Sequence, residues 1–73
     1  MLASTESIEI VVNGEPRRVP PNQTLAALLG ALNIPAERVA VELNRSIVRK
    51  RDWAQTPVET GANIEVVEFV GGG

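Results

Sequence analysis

The sequence predicts an α+β domain, a mixed sheet of four to five strands packed on one helix. Three observations point there. A run rich in β-branched residues, Ile8-Glu9-Ile10-Val11-Val12, ends at Asn13-Gly14, a dipeptide whose residues tolerate the positive φ of a type I′ hairpin turn. Leu25, Leu28, Leu29 and Leu32 recur at i, i+3, i+4 and i+7, the period of one apolar helical face. The chain closes on a second apolar run, Ile64 to Phe69. A single helix covers only one face of a sheet, which sets the class as α+β.

The elements follow in order. Met1 to Ser7 is small, polar and aperiodic, and is expected to be a frayed lead-in. After the Asn13-Gly14 turn the chain returns as Glu15 to Val19. Pro16 cannot donate to a ladder, so this second strand is expected at a sheet edge. Pro20-Pro21-Asn22 stops it. Thr24 is a good N-cap for a helix running to about Asn33, which suits a left-handed cap, and Pro35 prevents continuation. Gly30 weakens that helix by up to about 1 kcal/mol relative to alanine; close packing against the sheet is the expected reason for it.

Ala36-Glu37-Arg38 is a short connector to a third strand, Val39 to Leu43. Asn44-Arg45-Ser46 turns into a brief Ile47-Val48 strand. Arg49 to Thr56 is irregular or one helical turn, with Trp53 as a lid over the core. Pro57 to Asn63 has loop chemistry, and Ile64 to Phe69 is the final strand. The order β-β-α-β-β-β with one helix is the layout of a β-grasp, the ubiquitin-like fold.

Composition narrows the function. The 73 residues are read as one domain, 1–73, with 1–7 as lead-in and 71–73 as tail. Cysteine, histidine and tyrosine are absent, and lysine and aspartate occur once each. This removes disulfides, thiolate or imidazole metal sites, the cysteine nucleophile and the usual general base. The expectation is a binding or carrier module with no catalytic residues and no metal, not an enzyme. A net charge of −2 lacks the basic excess of a general nucleic-acid binder. The longest apolar stretch, Leu25 to Leu32, falls far short of the ~18 residues a membrane span needs. MLASTESIEI has neither the basic nor the apolar region of a signal peptide, and a cytoplasmic location is expected.

Two features point to chemistry at the end of the chain. Gly71, Gly72 and Gly73 follow directly on the last strand. Without Cβ atoms, such a tail can enter a narrow active site of another protein and present its terminal carboxylate. A carboxylate is a poor acyl donor until converted to a mixed anhydride, typically with AMP from ATP. The second feature is the outer face of the last strand. If Ile64 and Val66 face the helix, alternation sends Glu65, Val67 and Phe69 to the other face. Val67 and Phe69 would then form an apolar docking patch beside the tail. Arg45, Arg49, Lys50 and Arg51 form a basic cluster, read either as a solvated loop or as a contact for an acidic partner or RNA.

The segments IEIVVNGEPRRVPPNQTLAALLGAL, VAVELNRSIVRKRDW and GANIEVVEFVGGG resemble the bacterial ThiS family, the sulfur carriers of thiamine biosynthesis, from about Ile8 to Gly73. The order and spacing of Val12-Asn13-Gly14, Thr24-Leu25, Val41-Glu42-Leu43-Asn44, Trp53 and Phe69-Val70-Gly71-Gly72-Gly73 carry the resemblance. Ala62 stands where the family pattern usually has aspartate. The resemblance implies that an E1-like enzyme, ThiF, adenylates the carboxylate of Gly73 with ATP and magnesium, which the carrier does not itself hold. Sulfur derived from cysteine through a desulfurase then replaces AMP to give a thiocarboxylate, and thiazole synthase, ThiG, takes that sulfur into the thiazole ring. A small subunit of molybdopterin synthase, MoaD-like, uses the same tail chemistry and remains an alternative. An RNA-binding TGS-like β-grasp module is another, with the basic cluster as its working surface.

Overall fold

The computed structural model describes residues 6–69. Strands β1 (Ile8–Val12) and β2 (Glu15–Val19) form the expected hairpin, with Val12 opposite Glu15. Asn13 and Gly14 have φ of 51° and 83°, the left-handed pair that matches hairpin twist. The short strand β3 (Gln23–Thr24) leads into helix α1 (Leu25–Ala31). A 3-10 turn, Ala36–Arg38, precedes β4 (Val39–Leu43), and Asn44-Arg45 turns the chain into β5 (Ser46–Val48). A second 3-10 segment, Lys50–Gln55, is followed by β6 (Pro57–Val58) and β7 (Asn63–Glu68).

The main sheet has five strands in the order β2-β1-β7-β4-β5. The last strand therefore lies in the middle, parallel to β1 and antiparallel to β4. Pro16 sits on β2 at one edge, where its missing N–H costs no ladder bond. The helix packs on one face, giving the two-layer β-grasp the sequence predicts. Ile10, Leu25, Leu28, Val41 and Ile64 are the largest fully buried side chains, drawn from the helix and three strands. No helix among the described residues is long and apolar enough to cross a membrane.

The ends of α1 explain its length. The Thr24 hydroxyl accepts from the Ala27 N–H at 3.2 Å, as an N-cap should. At the other end the Asn33 N–H donates to Gly30 O and the Ile34 N–H to Leu29 O, with Asn33 at φ 60°. These paired bonds form a Schellman cap that stops the helix at Ala31, two residues short of the sequence-based limit. Gly30 departs from expectation. It is exposed, and a Cβ built on it would meet nothing within 4 Å, so it does not pack closely against the sheet.

The segment read as a loop between Pro57 and Asn63 contains a strand. Pro57–Val58 pairs with Gln23–Thr24 in a two-stranded sheet, continued by the Leu25 N–H donating to Thr56 O at 2.8 Å. Trp53 closes the core beneath the 3-10 segment as expected: it is buried, and its Nε1–H donates to Val48 O at 2.9 Å. Ala62, where the family pattern has aspartate, is a core residue.

Candidate functional site: the open sheet face and the end of the last strand

Strand β7 carries two different faces. Ile64 is wholly buried and Val66 packs against the core. Glu65 is exposed, Val67 is 59% exposed and Phe69, just past the strand, is 57% exposed. The expected alternation therefore holds residue by residue. Sheet register then fixes what lies around these side chains. Glu65 pairs with Glu42 on β4, and Glu42 pairs with Ile47 on β5. Val67 pairs with Ala40. The open face thus presents one row Glu65–Glu42–Ile47 beside a second row Val67–Ala40, with Phe69 beyond it. Ile47, at 73%, is the most exposed large apolar side chain among the described residues. The sequence reading gave Glu42 and Ile47 no role. Their signal lay in the strand pairing, which alternation on one strand does not reveal.

The strand is held at both ends by side chains and backbone outside regular pairing. Asn13 Oδ1 accepts from the Val66 N–H at 2.8 Å, and the Asn13 N–H donates to Ile64 O at 2.8 Å. Asn44 does the same on the other flank: its Oδ1 accepts from the Asn63 N–H and its N–H donates to Asn63 O. Both asparagines are in the left-handed region, at φ 51° and 52°, which Asn tolerates better than most residues. Each turn residue thereby extends a ladder that its own strand has ended. At the exit, the Phe69 N–H donates to Arg38 O at 2.7 Å. The path of the chain is fixed up to this point. Gly71, Gly72 and Gly73, the predicted reactive tail, lie outside the described residues, as do the first five residues of the lead-in.

The remaining candidates sit elsewhere. Arg45, Arg49, Lys50 and Arg51 are all exposed, spread over the β4–β5 turn and the start of the 3-10 segment. An open cleft of about 370 Å³ is lined by Ile8, Pro21, Gln23, Val58 and Thr60, among others. It begins at the first residue of β1, whereas the tail leaves the far end of β7, which runs parallel to β1. Glu59 is the one ionisable residue in its lining, so it holds no acid–base pair. Among the described residues no three His, Cys, Asp or Glu side chains converge as metal ligands.

This arrangement defines a ubiquitin-like β-grasp module whose working surface is an exposed sheet face and the end of a central strand. Known proteins specify it further. The ThiS family model matches residues 10–73, and the chain belongs to that family, the sulfur carriers of thiamine biosynthesis. The crystal structure of the thiamine biosynthesis protein ThiS from Geobacter metallireducens is similar with a TM-score of 0.81 and 35% identity, covering 90% of this chain and all of that one. Over 66 residues the chain is 44% identical to a thiazole synthase of Paramagnetospirillum magneticum, and spans only 20% of that protein's length. An uncharacterized protein, ycf40, of Porphyra purpurea is 32% identical over 68 residues, 96% of its length.

Proposed function

We propose that this chain carries sulfur as a thiocarboxylate on Gly73 for formation of the thiazole ring of thiamine. The observation that carries this reading is the family match running through residue 73, on a fold whose last strand is anchored up to Phe69 and leads straight into three glycines. In the proposed sequence, an E1-like, ThiF-like adenylyltransferase joins the Gly73 carboxylate to AMP, using ATP and magnesium held by that enzyme and releasing pyrophosphate. A cysteine-derived sulfur nucleophile then attacks the acyl carbon, and AMP leaves. The anhydride makes this attack feasible because AMP is a far better leaving group than oxide.

The chain's own part is access and docking. Gly71 and Gly72 let the tail thread a partner's channel, while Val67 and Phe69 present apolar surface beside it. A ThiG-like thiazole synthase is the proposed acceptor, in keeping with the 44% and 38% identity to parts of two thiazole synthases. The reaction partners named are all found in the cytoplasm in this reading, and no membrane or nucleic acid takes part. Family and structural similarity favour this reading over the molybdopterin-synthase-like and RNA-binding alternatives.

Intact-mass analysis tests it. Incubation with ATP, the activating enzyme and a sulfur donor should add the mass of one oxygen-to-sulfur exchange, and fragmentation should place it on Gly73. Extending the chain past Gly73, or deleting Gly72 and Gly73, should abolish the exchange and leave the melting temperature unchanged. Sulfur found elsewhere, or full activity in the extended chain, refutes the carrier.

A further inference from the structure

We infer that Glu42 and Glu65 form a receptor for a single cationic side chain, an arginine above all, on the protein that docks against the open sheet face. The inference rests on the carrier reading and specifies what its acceptor must present. The two glutamates are directly opposed on neighbouring antiparallel strands. Cβ atoms in such pairs lie about 4.5–5.5 Å apart, and like charges there are destabilising. Neither has an ion-pair partner among the described residues; the one ion pair found there joins Arg17 and Glu15 on the edge strand β2. The fold therefore maintains an unrelieved repulsion at the middle of its open face.

The surroundings suggest what relieves it. Ile47 flanks Glu42 across the β4–β5 pair, Ala40 and Val67 occupy the next row, and Phe69 follows. Three of these, Ile47, Val67 and Phe69, are the exposed large apolar side chains among the described residues. A partner that covers them removes water from around the carboxylates and strengthens any charge it brings. A guanidinium has a planar fork of donors broad enough to bridge two carboxylates, which an ammonium matches poorly. The occupant is thus an apolar protein surface with one protruding arginine, and thiazole synthase is the partner committed to. Relatives that match this chain over 66 residues are themselves thiazole synthases.

The test pairs stability with binding. Glu42→Gln/Glu65→Gln removes the repulsion at constant size, and Glu65→Lys replaces it with an attractive cross-strand pair. Both variants should melt at or above the wild-type temperature. Both should nevertheless bind purified thiazole synthase about tenfold or more weakly, and the affinity should lose most of its dependence on added salt. A folded variant that retains wild-type affinity and salt dependence overturns the receptor. Wild-type protein that does not bind thiazole synthase overturns it as well, while the sulfur exchange at Gly73 decides the carrier reading separately.

Discussion

Asn13 is asked to do two things, and substitutions can separate them. It holds a left-handed backbone at φ 51°, and its Oδ1 accepts from Val66 N–H at 2.8 Å, across 53 positions of sequence. Asn13→Asp keeps both an acceptor oxygen and tolerance of the left-handed region, so it should melt close to wild type. Asn13→Gly keeps the turn and loses the side-chain bond, at a net cost of about 0.5–1.5 kcal/mol, with several tenths more from the freer unfolded chain. Asn13→Ala loses the bond and adds a left-handed penalty of about 1–2 kcal/mol, giving about 2–3 kcal/mol in all. At about 4–8 °C per kcal/mol for a domain of this size, alanine should lower Tm by about 10–20 °C. Fluorescence of Trp53, the single tryptophan and a buried one, reports the melt. Hydrogen exchange at the Val66 amide isolates the bond: protection should survive in Asn13→Asp and fall in both other variants. An alanine variant melting within 2–3 °C of wild type, or a Val66 amide still protected in Asn13→Gly, would refute the double role.

Other substitutions test the packing and the faces. Leu28→Ala, at a position 1% exposed on the inner face of α1, should cost about 2–5 kcal/mol; an unchanged melt would mean the helix faces the wrong way. Ile64→Glu should unfold the protein, whereas Val67→Glu and Phe69→Glu should leave it folded and weaken binding to the activating enzyme, as measured by calorimetry. Unfolding by either outer-face change would contradict the strand register. Gly30→Ala should raise stability by about 0.5–1 kcal/mol, because the site is open and helical; a lower melting temperature would reveal a contact at Gly30 that the structure does not show.

What the sequence showed were features written within a few residues of one another. Asn13-Gly14 marks its hairpin, Thr24 its helix start, and Pro16 its edge strand, because each acts on its own backbone or its neighbours. The faces of β7 were legible for the same reason: alternation needs no partner. The features that escaped depend on the rest of the fold. Pro57–Val58 is too short to show a period and is a strand only because Gln23–Thr24 lies alongside. Gly30 suggested close packing because glycine in a helix has a cost, but the space around it is open. The site was legible in the same uneven way. Val67 and Phe69 could be placed from alternation, whereas the opposition of Glu42 to Glu65 and the position of Ile47 needed the β4 pairings.

The parallel pairing of β1 and β7 has a mechanical consequence. A pull on the tail against the N-terminal end of β1 draws two parallel strands lengthwise past each other. The load then falls together on the bonds from Gly61 N to Glu9 O, Val11 N to Ala62 O, Asn13 N to Ile64 O and Val66 N to Asn13 Oδ1, all between 2.8 and 2.9 Å. Bonds loaded in shear share the force and must yield nearly together, whereas a zipper opens one at a time. A protein whose tail is drawn into one enzyme and then another can therefore be tugged by its last residues, while its fold stays closed behind them.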